Sequence, residues 1–182
     1  MDLLDKIHRS SFLGPEFLTW LWYRADRENG EFSLFKADGE RDKEFGPFEV
    51  VFEDRLVVGS PAVDAQENSF TGGQPAYSAE AHTALRLGKF AHEAKLRIVR
   101  GAQEWQFIFK ALSFGLASIK IPAVLSKEDD DRFAERMLLL EQLDFMVKGL
   151  FRQFLGVRLT EAWEQEELPA IQGWIRGDGG QT

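Results

Sequence analysis

The runs F-A-H-E-A-K-L-R-I-V (residues 90–99), E-W-Q-F-I-F-K-A-L (104–112) and S-I-K-I (118–121) decide the fold. Each favours β-branched, aromatic or alternating residues, and turn signals at Gly101-Ala102-Gln103 and Phe114-Gly115 separate them. Three such runs joined by short turns predict an antiparallel meander. Along the first, Phe90, Leu96 and Ile98 share one face, which places Lys89, Lys95 and Arg97 on the other.

Working back toward the N-terminus, Ser78 is an N-cap for a helix through about Leu87 that Gly88 ends. Ser60 to Pro75 is polar and rich in turn residues. Phe48, Val50 and Phe52 alternate with other residues before Glu53-Asp54-Arg55, and Leu56, Val57 and Val58 follow, so 48–58 reads as a hairpin. A short strand over Glu31 to Lys36 precedes a charged loop with a turn at Asp38-Gly39.

The stretch S-S-F-L-G-P-E-F-L-T-W-L-W-Y-R (10–24) is a helix that starts at Gly14-Pro15-Glu16. Trp20 and Trp22 point about 200° apart on it. A helix apolar nearly all round must be covered on both sides, either by its own domain or by a second chain. Phe17, Trp20 and Trp22 are therefore core residues or, alternatively, a dimer or partner interface. Residues 2–9 read as a lead-in helix carrying Leu3, Leu4 and Ile7.

Beyond the meander, Pro122 precedes the longest helix, capped by Ser126 or Asp129 and running to about Phe154. Its stripe is Phe133, Met137, Leu140, Leu143, Val147, Leu150 and Phe154, with Gly149 as its weak spot. Thr160 caps a further helical stretch bearing Trp163, which Pro169 restarts toward Trp174, and 177–182 is a disordered tail. The whole of 1–182 is one α+β domain, its mainly antiparallel sheet covered by the aromatic helix and the long C-terminal helix.

With no cysteine, thiolate metal sites and thiol nucleophiles are excluded, and a reducing cytoplasm fits. Residues 1–6 are charged from the second position and no run is long enough to span a membrane. His8, His82 and His92 make no metal-type pair, and Glu128-Asp129-Asp130-Asp131 reads as a solvated helix start. There is no phosphate-binding loop, dinucleotide fingerprint or serine elbow, so no cofactor is expected. One weak catalytic pattern exists: Glu93-Ala94-Lys95, with Asp54 or Asp64, is similar to the metal-binding E-x-K of restriction-type nucleases, where carboxylates hold Mg²⁺.

Charge segregation is more informative. Arg86, Lys89, Lys95, Arg97 and Arg100 stand against Glu93 alone between His82 and Arg100, a net of +4 in a chain of −8, which leaves −12 elsewhere. Cations two residues apart along a strand either span neighbouring phosphates, holding a DNA backbone without reading sequence, or form a solvated outer sheet face whose lysines protect it from aggregation.

Two segments resemble the recombination-associated protein RdgC family of bacteria. They are F-L-G-P-E-F-L-T-W-L-W (12–22) and S-A-E-A-H-T-A-L-R-L-G-K-F-A-H-E-A-K-L-R-I (78–98), the latter followed by E-W-Q-F-I-F and S-I-K-I. The resemblance runs from about Phe12 to Trp174 and corresponds to the C-terminal part of a full-length member. It implies a non-enzymatic, cytoplasmic, nucleoid-associated protein of recombination, in a family whose ring-shaped dimers bind double-stranded DNA and restrain the RecA recombinase. It also implies DNA contact at the loop Gly72-Gly73-Gln74, where Gln74 is retained and position 73, often basic in the family, is glycine. The expected DNA-binding set is Gln74, Arg86, Lys89, Lys95, Arg97 and Arg100. Partners are DNA and a second copy or partner protein, with no membrane.

Overall fold

A computed structural model of the chain describes residues 13–36, 39–60 and 67–177. The lead-in helix expected at 2–9, Asp64, and the tail from 178 lie outside the described residues. The elements are α1 (Leu13–Arg27), β1 (Glu31–Phe32), β2 (Phe48–Gly59), β3 (Asn68–Thr71), a 3₁₀ turn (Pro75–Tyr77) and α2 (Ala79–Arg86). They continue with β4 (Phe90–Arg100), β5 (Gln103–Lys110), β6 (Gly115–Lys120), α3 (Asp129–Arg158), a π-helical turn (Trp163–Glu167) and α4 (Leu168–Arg176). This is an α+β fold built on an antiparallel sheet.

The meander forms as its alternation dictates, in the order β1-β2-β4-β5-β6. β4 occupies one edge of β2, while β1 and β3 share the other edge at its two ends. The expected hairpin over 48–58 does not form. Instead β2 is one twelve-residue strand, and Glu53, Asp54 and Arg55 bulge out opposite the single residue Lys95. The physical reason lies in the turn chemistry: a tight hairpin needs residues that accept positive φ, and Glu-Asp-Arg offers none of the usual Asn-Gly or Asp-Gly pairs. Both flanks pair with β4 instead, and the bulge absorbs the extra residues. The strand at 31–36 is also shorter than expected, with Phe35 bridging only to Arg41.

Inward-facing Phe52, Leu96, Ile98, Trp105, Phe107 and Phe109 are buried. Against them lies α1, in which Phe17, Leu18, Trp20, Leu21 and Trp22 are each at most 2% exposed. The domain itself supplies the cover on both sides. Phe17 meets Phe109 of the sheet and Phe154 of α3, and Trp22 meets Phe52 on one side and Trp174 of α4 on the other. Phe17, Trp20 and Trp22 therefore belong to the core, and the interface expected of them is corrected: side chains this buried offer nothing to a second chain.

Indole N–H groups tie the layers together. Trp20 donates to Glu167 Oε1 (2.7 Å), Trp22 to the Ala76 carbonyl (3.1 Å), Trp105 to the Leu139 carbonyl (2.9 Å) and Trp174 to Asp26 Oδ2 (2.7 Å). Each satisfies a polar group that burial would otherwise leave unpaired.

Ser78 caps α2 as read, its Oγ accepting the Ala81 N–H at 3.1 Å, and Gly88 follows at φ +81°. α3 runs on to Arg158, four residues past expectation. Its N-cap is Glu128, which makes no side-chain bond to the helix; the Glu135 carboxylate instead accepts the N–H groups of Leu125 and Ser126, at 2.9 Å each. Of the predicted stripe, Leu143, Val147, Leu150 and Phe154 are buried, whereas Phe133 and Met137, in the first third of the helix, are exposed. Gly149 has a packing reason: a Cβ there would collide with the Leu34 side chain.

Candidate nucleic-acid interface on the open sheet face

All the packing described above uses one face of the sheet. On the other, the strand period of two turns outward Glu49, Val51 and Glu53 of β2, Glu93, Lys95 and Arg97 of β4, and Glu104, Gln106, Ile108 and Lys110 of β5. Lys120 of β6 lies beside Gln106, and Glu31 of β1 beside Glu49. No helix among the described residues packs on this face.

The cations expected to meet phosphates are already engaged. Lys95 Nζ donates to Asp54 Oδ1 at 2.8 Å, and Arg97 Nε donates to Glu53 Oε1 at 2.5 Å, with Nη1 3.4 Å from Glu104. Arg55 Nε pairs with Glu93 Oε1 at 2.6 Å. The bulge in β2 produces this arrangement by presenting two acids and a base to a strand that carries two bases and an acid. The expectation of a bare cationic row is thus corrected: the cations share their face with acids from the neighbouring strands. Arg55, Lys95, Arg97, Lys110 and Lys120 stand with Glu31, Glu49, Glu53, Asp54, Glu93 and Glu104, five against six. The sequence could not show this, because all but one of those carboxylates lie on other strands and the bulge sets their register.

The pairs are part-exposed, with Lys95 and Arg97 showing 27% and 30% of their side chains and Asp54 55%. The Lys95 hydrogen bond holds the Asp54 carboxyl below the usual aspartate range. The hydrogen bond to Glu53, reinforced by its charge, raises the Arg97 guanidinium above its ordinary value.

The six expected DNA-binding residues fall in three places. Gln74 and Arg97 line one polar cleft of about 260 Å³ with Asp26, Asn29, Glu49 and Tyr77. Arg100 turns away: its Nε donates to the Phe45 carbonyl at 3.0 Å and its guanidinium lies 4.0 Å from the centre of the Phe45 ring. Lys89 stands at the opposite end of β4, roughly 35 Å from Arg100 at the rise of an extended strand, and Arg86 ends the helix before it. There Arg86 caps the end of α4 and Lys89 reaches Asn68.

The nuclease-like pattern is met only in part. Asp54 does reach Lys95, but Glu93 is spent on Arg55. Among the described residues, no three Asp, Glu or His side chains gather as a metal site, the 128–131 run included.

Among the described residues, His82 and His92 have separate surroundings. His82 packs edge-on against Trp22 and Trp174, and burial lowers its pKa. His92, the extra residue of a second irregularity in the β2–β4 pairing, places Nδ1 3.0 Å from Glu67 Oε1. Its ring lies over Gly59, where a Cβ would collide with it.

Compared with protein-family models and with curated proteins, the chain matches none. No helix among the described residues is long and apolar enough to cross a membrane.

Proposed function

We propose that this domain is a non-enzymatic, sequence-nonspecific DNA-binding protein of the recombination or nucleoid type, which lays the open sheet face on a phosphate backbone. The observation that carries the reading is the placement of Lys95 and Arg97 two residues apart on an uncovered face, with Lys110 and Lys120 on the next strands. The likeness of 78–121 to the RdgC family points the same way. Part-exposed ion pairs are cheap to open because water screens both partners, so a phosphate can replace a carboxylate at either cation. Exchange of one anion for another makes the contact weak and strongly dependent on salt.

Fluorescence anisotropy with a duplex oligonucleotide at low salt tests this. Binding should weaken linearly in log-log form with salt, and replacing Lys95 and Arg97 with Ala should flatten that slope by about two. Glu53→Gln removes the competing anion and should tighten binding by about two- to fivefold. Absent or salt-independent binding removes the proposal, as does a Glu53→Gln variant that binds more weakly.

The same competition sets the pH dependence. Affinity should rise as pH falls from neutrality toward about 4, where carboxylates begin to lose charge and the face turns positive. Asp54 keeps its charge to lower pH than an ordinary aspartate, because the Lys95 hydrogen bond depresses its folded pKa. The stability that its pair with Lys95 contributes is present above the unfolded aspartate pKa and is lost as pH falls through the folded one. An anisotropy titration that stays flat over this range contradicts the competition.

A further inference from the structure

We propose that the polar cleft between the end of α1, the start of β2 and the 3₁₀ turn at 75–77 binds a small primary alkylammonium ion. The inference does not rest on the DNA reading, and its test uses no nucleic acid. The cleft encloses about 260 Å³, just under the ~300 Å³ at which drug-sized sites begin, so its occupant is small. Asp26 and Glu49 line it, with the amides of Asn29 and Gln74 and the ring of Tyr77. Among the described residues neither carboxylate belongs to an ion pair. Elsewhere on the sheet Glu53, Asp54, Glu93 and Glu104 each hold a base. Arg97, the cation in the lining, is already bound to Glu53 and Glu104.

Three elements hold the site in place. The Trp174 indole donates to Asp26 Oδ2 at 2.7 Å, and the Trp22 indole ties the 3₁₀ turn through the Ala76 carbonyl at 3.1 Å. Gly30 joins α1 to β2: its N–H donates to the Ala25 carbonyl and its carbonyl accepts the Val50 N–H, each at 2.8 Å. Negative potential converges on the space between them. Glu31 stands beside Glu49 in the β1–β2 register, and the C-terminal end of α1 adds the negative pole of its dipole. The fields of both carboxylates reach the Tyr77 phenol, which burial first and then Asp26 and Glu49 raise above its usual pKa. The phenol therefore stays neutral and its ring remains electron-rich.

The acceptors define the occupant. A primary ammonium carries three N–H donors and no acceptor, which suits carboxylate and amide oxygens set around one space. A quaternary ammonium would ask for several open aromatic faces. Trp22 and Phe52 are 1% and 5% exposed, so Tyr77, at 62%, is the ring on offer. Val51, part-exposed in the same lining, gives a short alkyl stem an apolar surface. A bare metal ion fits less well, because among the described residues no three Asp, Glu or His side chains gather.

Backbone amide NMR of the full chain at neutral pH and constant ionic strength tests the assignment, with n-butylamine, butan-1-ol and tetramethylammonium as probes. Butylammonium should shift resonances confined to 25–31, 49–52 and 74–77. Butan-1-ol has the shape without the charge, and tetramethylammonium has the charge without an N–H donor. Each should bind at least about tenfold more weakly. Glu49→Gln, at an exposed position, should keep the spectrum of the fold and weaken butylammonium by about tenfold. Gln74→Lys tethers an ammonium at the rim and should abolish the shifts. The proposal is overturned if either control probe matches butylammonium, if Glu49→Gln or Gln74→Lys binds it as the unaltered chain does, or if the shifts fall elsewhere or are absent.

Discussion

Replacing Phe17 with alanine should destabilise the domain by about 3–5 kcal/mol, the range for removing a buried aromatic ring. The ring is 1% exposed and joins three layers at once. Its centre lies 5.6 Å from that of Phe109 in the sheet, 5.3 and 5.7 Å from Phe151 and Phe154 in α3, and 5.7 Å from Phe114 in the turn before β6. Those neighbours sit on separate elements of fixed length, so they cannot close the space together, and the cavity term adds to the lost burial. Urea unfolding followed by tryptophan fluorescence reads the change as a lower midpoint. A loss below about 1 kcal/mol would mean that these rings do not meet as described.

Gly14→Ala should cost about 3 kcal/mol, large for one added methyl group. A Cβ at this position would lie inside the van der Waals envelope of the Ala111 carbonyl oxygen, at the end of β5. Backbone rather than a flexible side chain stands in the way, and Pro15 stiffens the chain next to it. Relief therefore requires α1 to move off the sheet. For a chain of this length the shift corresponds to roughly 6–12 °C in Tm. Gly156→Ala is the contrasting variant: nothing stands within 4 Å of a Cβ there, and α3 should gain up to about 1 kcal/mol from the better helix former. Equal effects at the two positions would rule out close approach as the reason for Gly14.

Much of this architecture was legible because hydrophobic period and turn chemistry agree. The alternation in 90–99 and 104–112, the Ser78 cap, the Gly88 stop and the all-round apolar helix that starts at Gly14-Pro15-Glu16 each point to one element, and those elements are observed. Gly14 was legible only as a helix start, since its contact with Ala111 joins positions almost a hundred residues apart. The hairpin expected at 48–58 failed where three charged residues imitate a turn but a long partner strand offers hydrogen bonds on both flanks. Similarly, the stripe of α3 was read to its beginning, yet periodicity cannot tell where the cover over it stops, and Phe133 and Met137 are exposed.

The candidate site was legible by residue type and not by partner. Lys95 and Arg97 do face outward, as alternation requires. That Asp54, Glu53 and Glu104 face the same way depends on strand register, which composition does not contain. Arg86 and Lys89 were grouped with them through proximity in sequence, whereas the turn at Gly88 sends them to a different surface with a different chemistry.

The irregular pairing of β2 with β4 has one more consequence. Two evenly alternating strands can slide by two residues and keep their faces matched. Here three residues of β2 stand opposite Lys95, and a few positions on, His92 is the spare residue of β4. No other offset would seat both defects together, so they act as the notches of a key, and the central pair of the sheet has a single alignment in which it can close.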